Sequence, residues 1–78
     1  MPLAYVLVNA EIGADDEALA AIKKIPNVKE AYLVYGVYDI VAKVEAESLS
    51  KLKEVVTSRI RRLDKVRSTL TMIVMSSQ

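Results

Sequence analysis

Apolar and polar positions along this chain follow two rhythms. From Leu3 to Glu11 the run LAYVLVNAE is rich in β-branched and aromatic side chains and almost free of charge, which predicts a strand. Gly13 breaks it. Asp15, Asp16 and Glu17 then put negative charge where a helix would begin. Ala18, Leu19, Ile22 and Ile25 recur at helical spacing until Pro26 stops the pattern. Val28 to Tyr35 reads as a second strand and Tyr38 to Glu45 as a third. Ser48 stands where a helix would be capped. The stripe Leu49, Leu52, Val56 and Ile60, widened by Val55 and Leu63, marks the second helix. Ser68 to Met75 reads as the last strand.

The pattern is written twice. Ile22-Lys-Lys-Ile-Pro-Asn-Val-Lys29 and Ile60-Arg-Arg-Leu-Asp-Lys-Val-Arg67 share one arrangement of aliphatic and basic residues without a gap. Two copies are too few for a solenoid and fit a duplicated supersecondary unit. The order β-α-β-β-α-β predicts an α+β, ferredoxin-like domain over residues 1–78, a four-stranded antiparallel sheet with two helices on one face.

The other face of that sheet should alternate to polar if it met water. Leu3, Tyr5 and Leu7 oppose Ala4, Val6 and Val8; Leu70, Met72 and Val74 oppose Thr69, Thr71 and Ile73. Ala31, Leu33 and Tyr35 oppose Tyr32 and Val34, so both faces are largely apolar outside strand three, where Lys43 and Glu45 interrupt. An open apolar face predicts sheet-to-sheet packing against a second copy. Composition agrees: 53% of the 78 residues are apolar, more than one small core needs.

The chain has no cysteine and no histidine, which removes disulfides, thiolate metal sites and the commonest general base. No metal or cofactor is implied. No apolar run approaches the ~20 residues of a membrane span, so a cytoplasmic protein is expected. Residues 1–50 carry four lysines against eight acids, and residues 51–78 seven Lys/Arg against two. Arg59, Arg61 and Arg62 read as a solvated helix end rather than a nucleic-acid patch.

The stretch YGVYD, Tyr35 to Asp39, places a carboxylate at the mouth of a strand, three residues from a glycine. Read from the residues alone it is either an ordinary hairpin turn or a ligand-binding turn. With the I-x-x-I-P-x-V link into strand two, the following I-V-A-K-V strand and the V-R-S-T-L-T segment, it resembles the amino-acid-sensing domain of the leucine-responsive/asparagine-operon (Lrp/AsnC) regulator family. The resemblance covers nearly the whole chain. It implies a stand-alone effector domain without the family's helix-turn-helix, pairing through its sheets and building rings of dimers, commonly octamers. It implies an amino-acid effector near the turn, with Gly36, Val37, Tyr38 and Asp39 as contacts and Ser68, Thr69 and Thr71 as further polar groups. It also implies possible assembly with full-length regulators, and no direct binding of nucleic acid or membrane.

Three other readings compete. A dimeric ferredoxin-like enzyme would need a nucleophile–base pair, which no residues here assemble. An RNA-binding sheet would need an aromatic stacking motif, and the chain has no phenylalanine. The amino-acid-binding domain of biosynthetic enzymes, with the same element order, would place its ligand at residues 11–14.

Overall fold

The computed structural model describes residues 1–75 and realises the predicted order. Strands β1 (Leu3–Ala10), β2 (Val28–Leu33), β3 (Ile40–Glu45) and β4 (Val66–Ile73) form one sheet in the order β2-β3-β1-β4, every neighbour antiparallel. Helix α1 (Asp15–Lys23) links β1 to β2. Helix α2 (Leu49–Val55) continues into a π-helical turn, Val56–Ile60, before β4.

One face of the sheet is the core. Ala4, Val6, Val8 and Ala10 of β1, Ala31 of β2 and Ile40, Ala42 and Val44 of β3 are buried against Ala18, Ile22 and Ile25 from the α1 segment and Leu52, Val55, Val56 and Ile60 from the α2 segment. The period-2 alternation of the strands and the 3.6-residue stripe of the helices meet here, as their side-chain directions require. Half of these strand residues are alanines, whose small side chains leave room for the bulkier helix residues above them.

The duplicated motif is a duplicated structure. In each copy the chain leaves its helix through the same two backbone bonds: Ile25 N–H to Ile22 C=O (3.1 Å) and Val28 N–H to Ile25 C=O (3.0 Å), then Leu63 to Ile60 (3.2 Å) and Val66 to Leu63 (3.1 Å). The basic residue closing each copy is then passed over in the strand register. Val28 and Glu30 oppose Val44 and Lys43, leaving Lys29 out; Val66 and Ser68 oppose Ala10 and Asn9, leaving Arg67 out. Both are β-bulges, one extra residue on each strand.

The opposite face carries Tyr5, Tyr32, Leu70, Met72 and Val74, all exposed, around the half-buried Leu3, Leu7 and Val41. Its polar island is Glu30, which lies 3.5 Å from Lys43 Nζ across β2–β3 and accepts a hydrogen bond from the Tyr32 hydroxyl.

The structure shortens two expected strands, shifts a third and divides the second helix. β2 ends at Leu33 instead of Tyr35, and β3 begins at Ile40 instead of Tyr38, because residues 34–39 turn out of the sheet. β4 begins two residues before Ser68 and ends at Ile73. The second helix is not one α-helix to Leu63: Arg61 N–H reaches Val56 C=O (2.9 Å), an i→i+5 bond that widens the last turn. At its start the Thr57 hydroxyl donates to Lys53 C=O (2.9 Å), so the side chain competes for the same ladder.

Candidate functional site

The β2–β3 turn is closed at its base by Val34 N–H donating to Asp39 C=O (2.8 Å). Asp39 fastens it to β1 twice over. Its N–H donates to Val8 C=O (2.9 Å), and its Oδ2 accepts from Ala10 N–H (2.9 Å). The second bond explains why a carboxylate stands at a strand mouth. β3 begins opposite Val8, so the Ala10 N–H runs past the end of its partner. A part-buried backbone donor must find an acceptor, and the Asp39 side chain supplies one with charge. Oδ1 makes no hydrogen bond among the described residues and remains open to a further donor.

Beyond that anchor the turn projects outward. Tyr35 and Val37 are almost wholly exposed, Gly36 is exposed, and Tyr38 is half-buried. Gly36 has φ 159°, at the border of ordinary extended backbone, and a Cβ built on it meets nothing within 4 Å. Within one chain, then, the positive φ rather than a close approach favours glycine at this position.

The three hydroxyls proposed from the sequence do not converge. Ser68 lies on the open face and accepts from Asn9 Nδ2 (3.3 Å). Thr69 and Thr71 oppose Val8 and Val6 and so lie on the helix side. There they line a groove of about 270 Å³ whose other wall is Lys53, Val56, Thr57 and Arg61, with Ile73 further along β4. Thr69 and Ile40 both pair with Val8, which places the start of β3 two strands, roughly 10 Å, from Thr69. Loop and groove are therefore near neighbours at one end of the sheet, with β1 between them. Lys53 and Thr57 were not singled out from the sequence, and Arg61 was read there as part of a solvated helix end. Their signal was a polar helix face at positions 53, 57 and 61, indistinguishable there from solvated surface.

On the open face, Glu30 is held below its usual carboxylate range, first by the Tyr32 hydroxyl and then by Lys43, with desolvation opposing. The same contact raises Tyr32 above the ordinary phenol value. Among the described residues no group of three or more Asp, Glu, His or Cys side chains is placed to hold a metal ion. No helix among them is long and apolar enough to cross a membrane.

The profile of the Lrp/AsnC ligand binding domain matches residues 3–78. The chain belongs to this family. It is similar to the regulatory protein AsnC of Escherichia coli, 37% identical over 60 residues, which are 77% of this chain and 40% of AsnC. The chain thus spans about two fifths of the length of that curated relative. It is also similar to a hypothetical protein from Pyrococcus horikoshii whose crystal structure superposes with a TM-score of 0.90 at 36% identity, covering 99% of this chain and 93% of that one. A transcriptional regulator of Neisseria meningitidis, solved as its L-Met complex, shares the fold at 15% identity and a TM-score of 0.86, over 97% of this chain and 51% of that chain. The Lrp/AsnC domain is thus a regulatory, ligand-binding fold, and the ferredoxin-like architecture expected from the duplicated pattern is the one these proteins share.

Proposed function

We propose that this chain is a self-assembling, non-catalytic regulatory domain that binds an amino acid and acts on transcription through Lrp/AsnC-family regulators rather than by touching DNA itself. The observation that carries the reading is the match to the family's ligand-binding domain over residues 3–78. The Neisseria relative's L-Met complex supplies the ligand class by analogy. The turn geometry supports the reading. Asp39 keeps one carboxylate oxygen open beside an exposed glycine turn, the pairing that an α-ammonium and an α-carboxylate would use. Gly36, Val37, Tyr38 and Asp39 are the ligand contacts in this reading, with Ser68, Thr69 and Thr71 in supporting roles. Because the turn is open in one chain, a neighbouring copy closes it. Dimers form through the open sheet face and associate into a ring, octameric or of another even number.

The test is calorimetric titration of an amino-acid panel, combined with native mass spectrometry for subunit number. Some amino acid binds the native chain, and Asp39→Asn weakens it about ten- to hundredfold, the range for losing a charged hydrogen bond. Equal binding by Asp39→Asn, or no binding at millimolar concentration, would remove amino-acid sensing from the account.

A further inference from the structure

The bare face of the sheet is free of charge on one half only. Across β2, β3, β1 and β4 its middle row reads Glu30, Lys43, Tyr5, Met72, and the next row reads Tyr32, Val41, Leu7, Leu70. The β1–β4 half of both rows holds no charge. The β2–β3 half holds a carboxylate and an ammonium 3.5 Å apart, with the Tyr32 hydroxyl donating to the other carboxylate oxygen. Lys43 is the most shielded cation of the three ion pairs among the described residues. Its side chain is 30% exposed, against 50% for Lys51 and 58% for Arg67.

Two sheets that stack face to face keep their strands roughly aligned. A two-fold axis between them then runs either across the strands or along them. With the axis across the strands, β3 of one copy lies on β3 of the other, and β2 on β2. Lys43 gathers beside Lys43 and Glu30 beside Glu30, in a layer from which water is leaving and where like charges cost most. With the axis along the strands, between β3 and β1, the charged half of each copy lies on the uncharged half of the other. Lys43 then meets the ring of Tyr5, Val41 meets Leu7 and Tyr32 meets Leu70. Glu30 stays on an outer strand, at the solvated rim. An ammonium over a tyrosine face is attracted to it, and more strongly as water leaves.

We propose that Lys43 and Glu30 orient the sheet-to-sheet pair, each Lys43 seated on the Tyr5 ring of the other copy and the charged half of each face covered by the uncharged half of its partner. The proposal rests on the dimer reading and adds to it the residues that choose one stacking over the other. A face that presents a cation where Tyr5 stands is refused by the same rule, so the charged half also selects which chains pair with this one.

The chain has no cysteine, so single introduced cysteines report the stacking. Co-expressed Tyr32→Cys and Leu70→Cys chains, treated with a short thiol-to-thiol cross-linker, join to each other. Tyr32→Cys alone stays largely unjoined, because three strand spacings, about 14 Å, separate its two copies in the plane of the sheets. Glu30→Gln with Lys43→Met removes the orienting charges, and in that background Tyr32→Cys joins to itself as well. Lys43→Glu weakens self-association about tenfold or more in sedimentation equilibrium, whereas Tyr5→Phe, which keeps the ring, and Lys51→Glu on α2 leave it unchanged. Circular dichroism confirms that each variant is folded. Self-joining of Tyr32→Cys as efficient as the mixed reaction, in chains that sediment as dimers, overturns the orientation and leaves the dimer standing. Association of Lys43→Glu equal to that of the native chain overturns the role of Lys43. A native chain that sediments as a monomer overturns the dimer, and this inference with it.

Discussion

Asp39 has two employments, and substitutions separate them. Asp39→Ala leaves the Ala10 N–H without its acceptor, which should cost about 1–3 kcal/mol of stability in urea denaturation. Asp39→Asn keeps an acceptor oxygen and should cost less than Ala, so its effect on ligand affinity can be read on a folded protein. Equal stability of the native and Asp39→Ala chains would contradict the anchoring role. The sequence showed that a carboxylate stood at the mouth of a strand. It did not show what the carboxylate holds, because Ala10 is 29 residues away and only the strand register brings it near. Glu30 offers a second test. Its ordinary value is 4.5, and the Tyr32 hydroxyl is the largest cause lowering it. A carboxyl depressed by folding favours the fold above its ordinary value, and that contribution fades as pH falls through the lowered one. Tyr32→Phe should move the Glu30 midpoint back up toward 4.5 in a carbon-detected NMR titration; an unmoved midpoint would show that Lys43 alone sets it. Since Glu30 is at the surface of the single chain, little stability follows from the shift.

Among the elements, α2 shows how local chemistry sets a boundary. Ser48 Oγ accepts from Lys51 N–H at 3.1 Å, in the extended conformation of an N-cap, so Ser48→Ala should lower stability by about 0.5–2 kcal/mol in thermal or urea unfolding. No change would mean that water replaces the cap without loss. The cap was legible because a serine immediately precedes an apolar stripe. The other end was not: Val55, Val56 and Ile60 fit an α-helical stripe equally well, and the wider turn emerges only from the bond between Arg61 and Val56. Likewise Tyr35 and Val37 have strand-like composition, yet they stand exposed, since the bond from Val34 to Asp39 closes the hairpin beneath them. Composition there reported apolar surface correctly and its location wrongly. The groove escaped sequence reading for a related reason. Its cations look like any exposed helix face until β4 is laid beside them.

For the whole molecule, two apolar sheet faces were expected and two are present, one covered by helices and one bare. Leu7 sits on the bare side, opposite Val41 and Leu70. Leu7→Lys leaves the helix-side core untouched and should still dissociate the proposed dimer, by placing an unpaired charge where two sheets meet. Sedimentation equilibrium should give the native chain a multiple of 8.6 kDa and the variant a shift toward 8.6 kDa. A native chain already monomeric at micromolar concentration would remove the sheet-to-sheet dimer. The twin bulges bear on what kind of assembly is open to such a molecule. β2 and β4 are the two outer strands, and the second residue of each is a bulged basic one, Lys29 or Arg67. An irregular, charged rim is a poor template for another strand, whereas the apolar face beside it is a good one. Copies are therefore steered to stack flat against flat and hindered from zipping rim to rim. A domain with so much bare β-surface can gather into a closed set without seeding a fibre.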